Sequence, residues 1–242
     1  MEEFTRLLDV GCGELGIILT EKQKEQFFKY FELLTEWNQV MNLTAITEMP
    51  EVVTKHFVDS LLVVKVLDGI RTETYSCIDV GTGAGFPGIP LKIAFPQLQI
   101  TLLDSLNKRV GFLNTVIQEL ELTGIQAVHG RAEDFGRDKE YREQFDLCVS
   151  RAVANLSTLS EYCLPFVKQG GSFLPYKSGK VEEEAREAEG AVKKLGGFMG
   201  DTKTFILPGT DVDRTFVPID KIHMTPKKYP RKAGMPGKEP LK

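Results

Sequence analysis

The sequence predicts an α/β protein in which a doubly wound, mostly parallel seven-stranded sheet follows an N-terminal helical appendage. Three observations carry this prediction. From Tyr75 onward, short apolar runs alternate with helical patterns, which is typical of a parallel sheet with helices on both faces. A glycine-rich loop follows the first of these apolar runs. Upstream of residue 70, apolar residues recur at the spacing of amphipathic helices instead.

The N-terminal appendage contains two helical patterns. Thr20 is a candidate N-cap, and the pattern that it begins continues to residue 41. A second pattern runs from about Pro50 to about Leu67. The expected organisation is therefore an appendage over residues 1–70, a sheet-containing domain over 71–224 and a basic tail over 225–242.

The predicted elements of the sheet-containing domain follow one another at short intervals, as in consecutive strand–helix units. The predicted strands cover residues 75–80, 98–103, 125–128, 144–150, 171–176, 202–207 and 214–222. The predicted helices cover residues 87–94, 108–120, 157–167 and 181–195. Because sheets of this kind bind ligands at the carboxyl ends of their strands, we expect a binding site in the loops that follow these strands.

The composition excludes several classes of protein. Hydrophobic residues make up 42% of the chain and charged residues 26%, which excludes wholesale disorder. The acidic N-terminus leads into no apolar segment typical of a signal peptide, and no apolar stretch approaches the length of a membrane span. The four cysteines lack the spacing of a metal site. We therefore predict buried thiols, no metal and a cytoplasmic protein. We also expect a monomer, although no pattern in the sequence determines the oligomeric state.

Charge is distributed unevenly along the chain. From Thr225 to Lys242 there are six basic residues and one acid, which gives this segment +5 within a chain of net charge −4 and leaves −9 on the remainder. A basic tail on an acidic body is typical of proteins with polyanionic partners. The same segment, rich in proline, glycine and lysine, also fits an extended, solvated terminus, and both interpretations stay open.

Two glycine motifs compete for a nucleotide-binding role. Residues 9–16 (DVGCGELG) match the dinucleotide pattern GxGxxG, and residues 79–85 (DVGTGAG) give GxGxG. The first motif fails on context, because only a short apolar run precedes it and the acid expected about 20 residues later, Glu32, lies inside a helical pattern. We interpret it as a glycine-rich turn or helix end. The second motif has a predicted strand before it and a helix after it.

The second motif predicts a nucleoside cofactor. Asp104 ends the next strand, 23 residues after Gly81, where an acid can accept hydrogen bonds from both ribose hydroxyls. A dinucleotide pyrophosphate favours glycine at the position of Phe86, so the loop favours S-adenosylmethionine over NAD. Asp79 then either accepts a hydrogen bond from the amino-acid end of the cofactor, directly or through water, or supports the loop.

Two further loops complete the predicted site. The loop after the third strand, residues 130–134, lies where the adenine is expected, and the loop after the fourth, residues 150–152, lies where the methyl group points. Arg151 stands at the end of an apolar strand, where a guanidinium needs an anionic partner. That partner is either a phosphate or carboxylate of a ligand or a protein carboxylate in a structural salt bridge.

These and other motifs resemble one family along nearly the whole chain. The motifs include EWN at 36–38, NLT at 42–44, DVGTGAGFPG at 79–88, RAE at 131–133, SRA at 150–152 and TPKKYPR at 225–231. On these residues the chain resembles the bacterial small-subunit ribosomal RNA guanine-N7 methyltransferase G family, formerly called glucose-inhibited division protein B. The resemblance implies a Rossmann-like class I methyltransferase fold. It also implies methylation of N7 of one guanosine in the 530 loop region of 16S rRNA, with naked rRNA or the small ribosomal subunit as the partner.

The resemblance extends to the residues of the site. It implies that S-adenosylmethionine contacts the glycine loop and the loops after the third and fourth strands, at Gly81, Phe86, Ala132, Glu133 and Arg151, with Asp104 near the ribose. With the neighbouring motif residues, the predicted cofactor site comprises Asp79, Gly81, Gly83, Gly85, Phe86, Asp104, Ser105, Ala132, Glu133 and Arg151. The basic residues predicted to bind rRNA phosphate are Lys55, Lys108, Arg109, Lys227, Lys228 and Arg231.

Guanine N7 carries a lone pair that attacks a sulfonium methyl without losing a proton, so we expect catalysis by positioning and by accommodation of charge. No general base is then obligatory. His56 and Arg151 are candidate positioning residues, and His56 alternatively has a structural role. A methyltransferase acting on another RNA, a protein or a small molecule stays open, as does a non-catalytic RNA-binding module with the same fold.

Overall fold

The computed structural model of the protein describes residues 1–179 and 181–242, and within them nine strands form one sheet. The strands are β1 (Ser76–Val80), β2 (Gln99–Asp104), β3 (Ile125–His129), β4 (Phe145–Arg151), β5 (Val167–Lys177), β6 (Gly197–Met199), β7 (Lys203–Ile206), β8 (Asp213–Phe216) and β9 (Ile219–Lys221). Their order is β3-β2-β1-β4-β5-β8-β7, with β9 also paired to β5 and β6 paired to β9. Strands β3 to β5 of this order pair in parallel, and the others pair antiparallel.

The doubly wound, mostly parallel α/β class is therefore confirmed, but the sheet has nine strands where seven were predicted. The predicted strand over 214–222 divides into β8 and β9 on either side of Pro218. Proline lacks the backbone N–H that a sheet ladder requires, which accounts for the interruption. The three-residue β6 pairs with β9 and was too short to leave a pattern in the sequence.

The helices cover both faces of the sheet. They are α1 (Glu2–Glu14), α2 (Glu21–Met41), α3 (Met49–Val52), α4 (Asp59–Leu61), α5 (Gly88–Ala94), α6 (Asn107–Glu119), α7 (Ala132–Phe135), α8 (Leu156–Cys163), α9 (Val181–Lys194) and α10 (Met235–Lys238). Neighbouring strand residues belong to different cores: Leu102 packs in the cluster containing α1, α2 and α6, and Leu103 in the cluster containing α8 and α9. Side chains alternate across a strand, so each face of the sheet supplies one of these cores.

The predicted second helix is a series of short segments and not one continuous α-helix. A π-helical turn over Val53–Val58 follows α3, and 3-10 turns over Leu62–Lys65 and Asp68–Arg71 follow α4. A π-turn widens the helix by one residue, and such turns occur frequently at functional sites. This one carries His56, which lies beside the glycine loop.

The first glycine motif lies in α1, so its interpretation as a helix end is confirmed. A Cβ added at Gly11 would lie 2.6 Å from a methyl group of Val58, so glycine permits the close approach of α1 to the π-turn. The helix α2 begins as predicted, with a capping box between Thr20 and Gln23. Its Tyr30 hydroxyl donates a hydrogen bond to the carbonyl of Ala84, which ties the N-terminal helices to the second glycine motif.

The C-terminal segment, residues 225–242, is folded back onto the domain, and the interpretation as an extended, solvated terminus is wrong. Thr225, Tyr229 and Pro236 are buried. Arg142 donates hydrogen bonds from its guanidinium to the carbonyls of Thr225 at 2.6 Å and Tyr229 at 2.9 Å. Apolar anchors and satisfied backbone carbonyls therefore hold a segment whose composition alone resembles a linker.

All four cysteines are buried and unpaired, as predicted. In the part of the chain that the structure describes, no helix is long and apolar enough to cross a membrane.

Candidate active site

The second glycine motif forms a tight loop between β1 and α5. Gly81, Gly83 and Gly85 have φ angles of 71°, 61° and 100°, which L side chains adopt only with strain. The N–H groups of Gly81 and Thr82 both donate to the carbonyl of Leu103, at 2.8 and 3.2 Å. The loop therefore curls over the carboxyl end of β2. It lies beside the point between β1 and β4 where the strand order reverses, and ligands of such sheets bind at that point.

Two buried carboxylates lie beneath this loop. Asp79 Oδ2 accepts from the Thr82 hydroxyl at 2.7 Å and from the Gly88 N–H at 2.8 Å. Asp104 Oδ2 accepts from the Gly83 N–H at 2.9 Å. Burial raises the pKa of Asp79 to about 6, against the opposing effect of these hydrogen bonds. Neither carboxylate lines the adjoining cavities, and both support the loop.

A first cavity of about 370 Å³ lies at the carboxyl ends of β1, β2 and β3. Leu106 and Val153 give it two exposed apolar side chains, and Glu133 gives it a buried carboxylate. The predicted cofactor residues that line it are Gly81, Ser105, Ala132 and Glu133. Its volume and its mixture of apolar and polar groups fit a nucleoside.

A second cavity of about 420 Å³ lies on the other side of the glycine loop. It includes residues from the N-terminal segment, from the loop after β4 and from the β7–β8 hairpin. The predicted residues that line it are Lys55, His56, Gly81, Gly83, Phe86, Arg109 and Arg151. Gly81 lines both cavities, so the two spaces meet at the glycine loop.

The loop after β4 stands between the two cavities. Ala152 lines the second cavity and adopts a φ of 58°, a strained value for a residue with a side chain. Val153 lines the first cavity, and its Cγ2 lies 2.7 Å from where a Cβ on Gly81 would stand. Glycine at position 81 therefore makes room for this loop.

Arg151 is fixed by a carboxylate of the chain itself. Its Nη1 lies 2.6 Å from Oδ2 of Asp59, a residue that is 1% exposed. Arg214 donates to the same carboxylate from Nε at 2.6 Å and from Nη2 at 2.9 Å. One carboxylate therefore faces two guanidinium groups, which leaves an excess of positive charge at this wall of the second cavity.

His56 is held neutral and oriented. Burial, and then the charge of Arg151, lowers its pKa from 6.5 to about 3. A guanidinium can only donate, so Nδ1 of His56, 3.4 Å from Arg151 Nη2, is the acceptor. Nε2 then carries the proton and donates to the hydroxyl of Thr44 at 2.8 Å. The ring also stacks on Phe86, with 4.5 Å between the ring centroids. Because both ring nitrogens are engaged in hydrogen bonds, neither is left to act as a base.

The predicted phosphate-binding residues fall into two groups. Lys108, Lys227 and Lys228 are exposed. Lys55, Arg109 and Arg231 each already have a carboxylate partner, Glu51, Asp104 and Glu161 respectively. The structure therefore brings Lys55 and Arg109 to the second cavity and places Arg231 in an internal ion pair.

Sequence reasoning missed several residues of the site. Asp59 has a weak signal, since it follows His56 by three residues on a helical segment. Arg214 carries no pattern that marks it, because its role depends on contacts across the fold. Thr44 belongs to the NLT motif at 42–44, but the motif does not reveal the contact of its hydroxyl with His56. Tyr162 and Gly234, which line the first cavity, were missed because their positions also depend on contacts across the fold.

The family model and the relatives that match the chain carry the same description. Residues 23–208 match the family model GidB, described as rRNA small subunit methyltransferase G. The chain is 56% identical over 231 residues to ribosomal RNA small subunit methyltransferase G of Lachnoclostridium phytofermentans, covering 96% of this chain and 95% of that protein. It is 50% identical over 240 residues to the protein of the same name from Alkaliphilus metalliredigens, covering 99% and 100%.

Solved structures are similar in fold at low sequence identity. The M. jannaschii protein TYW2 in complex with AdoMet has a TM-score of 0.52 at 16% identity, over 68% of this chain and 77% of that one. MtNAS in complex with MTA and tNA has a TM-score of 0.55 at 13% identity, over 83% and 74%. At these identities the likeness concerns the fold alone.

Proposed function

The chain belongs to the rRNA small subunit methyltransferase G family, and we propose that it methylates N7 of one guanosine in the 530 loop region of 16S rRNA. It is an rRNA methyltransferase that uses S-adenosylmethionine. The choice of N7, of this region and of the small ribosomal subunit as the substrate rests on the chemistry of the site and on the motifs that the chain shares with the family.

The observation that carries the proposal is that two cavities meet at Gly81. The first has the apolar side chains and the buried acid that suit an adenosine. The second has an excess of positive charge and an aromatic floor formed by Phe86 and His56, which suit a nucleotide of RNA. A methyl group passing from one ligand to the other would cross at the glycine loop.

The residues present fit S-adenosylmethionine. The positive φ angles of Gly81 and Gly83 let the loop approach a ligand closely, and Phe86 stands where a dinucleotide pyrophosphate favours glycine. When bound, the cofactor would supply a sulfonium methyl group whose carbon the N7 lone pair can attack, with S-adenosylhomocysteine leaving as the C–S bond breaks, so that positive charge moves from sulfur to the base and no proton is lost. A reaction of this kind requires positioning and no general base.

The side chains around the second cavity match that requirement. Arg151 is held by Asp59, and His56 is held by Thr44 and Arg151, so both present a fixed surface. His56 is neutral and has no free lone pair, which agrees with a reaction in which no proton is removed. These residues would orient the guanine, and Asp59 acts through Arg151 as a positioning residue.

The rRNA would be held through its phosphates. Three exposed side chains carry positive charges suited to such contacts: Lys108, Lys227 and Lys228. Their contribution to binding depends on salt concentration. Lys55 and Arg109 line the second cavity and would contact phosphates near the target nucleotide. We propose that the protein does this as a monomer in the cytoplasm, where ribosomal subunits are assembled.

The test is methyl transfer to defined substrates. The protein is incubated with labelled S-adenosylmethionine and small subunits from cells that lack the gene, or naked 16S rRNA from the same cells, and the labelled nucleoside is identified. We expect 7-methylguanosine within the 530 loop region. Label in another nucleoside, or in a protein or small molecule added as competitor, would contradict the proposed substrate. An absence of both label and cofactor binding would contradict the enzyme assignment.

A further inference from the structure

The C-terminal segment reaches the first cavity. Gly234 lines that cavity, and its N–H donates a hydrogen bond to Oε1 of Glu133 at 2.8 Å. Gly234 adopts a φ of 81°, a value that glycine adopts readily. The loop after β3 and the segment at the end of the chain, about 100 residues apart in sequence, are thus joined at the wall of the cavity.

Glu133 has acceptor capacity left at this position. It is 7% exposed, and in residues 1–179 and 181–242 Gly234 is the one group that donates to its carboxylate. Oε2 is not among the fully enclosed polar atoms that lack a partner, so it is open to a donor from outside the chain. A ligand in the cavity can supply one.

The C-terminal segment is anchored independently of the cavity. Arg231 pairs with Glu161, which is fully buried, through Nε at 3.0 Å and Nη2 at 2.7 Å, and the Arg231 N–H donates to the same carboxylate at 2.7 Å. Thr158 donates from its hydroxyl to the carbonyl of Pro236 at 3.0 Å. These contacts flank Gly234 on both sides, so they fix the position of its N–H.

The Glu133 carboxylate, already expected at the cofactor, would accept a hydrogen bond from the adenine amino group. We propose that the segment 225–238 is a wall of the cofactor site and that, through Gly234, it positions this carboxylate. Leu106 and Val153 provide apolar contact for a flat ring, and the loop carrying Glu133 provides the acceptor at its edge. An ionised carboxylate only accepts, so it selects an exocyclic amino group and disfavours a carbonyl at the same place. This inference rests on the proposed function, which supplies the adenosine cofactor.

The test compares two ligands that differ in this group. S-adenosylhomocysteine carries the amino group, and its 6-deamino analogue, with unsubstituted purine as the base, carries hydrogen in its place. By calorimetry the wild-type protein should bind the first at least about tenfold more tightly, the effect typical of a hydrogen bond to a charged group. In the double variant Glu161→Gln/Arg231→Met the ratio should fall toward unity. Removing both partners avoids leaving an unpaired buried charge.

The matched control is Lys232→Met, which removes one positive charge from an exposed neighbour of Arg231. Its ligand ratio should equal that of the wild-type protein. A double variant that discriminates as well as the wild type would overturn the positioning role, while the proposed function would stand. A wild-type protein that binds both ligands equally would overturn the role of Glu133 as well.

A second measurement uses the wild-type protein alone and does not depend on the folding of a variant. Hydrogen exchange is followed by mass spectrometry on peptides within residues 225–242, with and without S-adenosylhomocysteine. The ligand should slow exchange at the Gly234 amide. Unchanged exchange while the ligand is bound would overturn the inference. A protein that binds neither ligand would contradict the proposed function itself and this inference with it.

Discussion

Arg151 and Asp59 form an ion pair, with 2.6 Å between Nη1 and Oδ2, although 92 residues separate them in sequence. Arg151 ends β4, and Asp59 begins the short helix after the π-turn, so the pair connects the sheet to the N-terminal segment. Because Arg214 shares the same carboxylate, Asp59 holds two walls of the second cavity together.

Replacing Asp59 with asparagine should destabilise the protein and impair catalysis together. The substitution leaves two half-buried guanidinium groups without the buried carboxylate that they share, and breaking a buried pair in this way costs about 3–5 kcal/mol. Chemical unfolding should show a loss of this size, and kcat should fall because Arg151 and His56 lose their fixed positions. The control is Asp68→Asn, which breaks the exposed pair with Arg71 and should cost less than about 1 kcal/mol. Equal effects of the two substitutions would contradict the role of Asp59.

The low pKa of His56 predicts a pH dependence of stability with a definite sign. Its pKa is about 3 in the folded chain and near 6.5 when unfolded, so between these values the unfolded chain binds a proton that the folded chain does not. Stability should therefore fall as the pH drops below about 6.5. Unfolding free energies of the wild type and of His56→Gln, measured across this range, should differ in slope accordingly.

The same property makes a prediction about the rate. Since His56 stays neutral, the kcat of the wild-type protein should show no inflection near pH 6.5 that the His56→Gln variant lacks. Such an inflection would mean that His56 takes up a proton during the reaction, and the base-free mechanism would then be wrong.

The glycine loop and its surroundings show how far sequence patterns extend. The apolar run of β1, the loop and Asp104 are local features, so their order and their place at a ligand site could be predicted. Asp104 was expected at the ribose, yet its carboxylate accepts the Gly83 N–H beneath the loop, a contact that no spacing reveals. The ribose contact stays a prediction that the cofactor complex would test.

The interpretation of the C-terminal segment as an extended, solvated terminus was wrong for a related reason. Its proline, glycine and lysine content is that of a linker, and it is ordered by single contacts across the fold, above all Arg231 with Glu161 and Arg142 with the backbone. Arg231 belongs to the motif at 225–231, but no pattern around Glu161 or Arg142 marks either residue as a partner of this segment. Packing of this kind depends on which distant residues meet, and a single sequence does not encode that in any local pattern.

Replacing Gly81 with alanine should weaken cofactor binding at least about tenfold. The new Cβ would lie 2.7 Å from Val153 Cγ2 and would displace the loop that separates the two cavities, in addition to straining a φ of 71°. Gly170→Ala is the matched control, because Gly170 also has a positive φ, of 89°, but has open space around it. It lies near the start of β5, away from the carboxyl ends of the strands where the cavities are. Calorimetry with S-adenosylhomocysteine should show the loss for the first variant and not for the second.

Removing the charges of Lys227 and Lys228 should weaken rRNA binding and reduce its salt dependence. The logarithm of affinity falls as the logarithm of salt concentration rises. If each lysine neutralises one phosphate, Lys227→Met/Lys228→Met should make this slope less steep by roughly 1.5. The control is Lys22→Met/Lys193→Met, which removes two exposed charges from α2 and α9. Binding of 16S rRNA fragments at several salt concentrations measures both. An unchanged slope in the tail variant would exclude these lysines from the interface.

Methylation of N7 can be tested at the reacting atom. Small subunits are reconstituted with 16S rRNA in which the target guanosine is replaced by 7-deazaguanosine, which has carbon in place of N7 and otherwise keeps the shape and hydrogen bonding of the base. We expect methyl transfer to subunits with guanosine and none to those with 7-deazaguanosine, with both binding the protein equally well. Methyl transfer that persists in the 7-deazaguanosine subunits would show that the methyl group goes to another atom and would contradict methylation at N7.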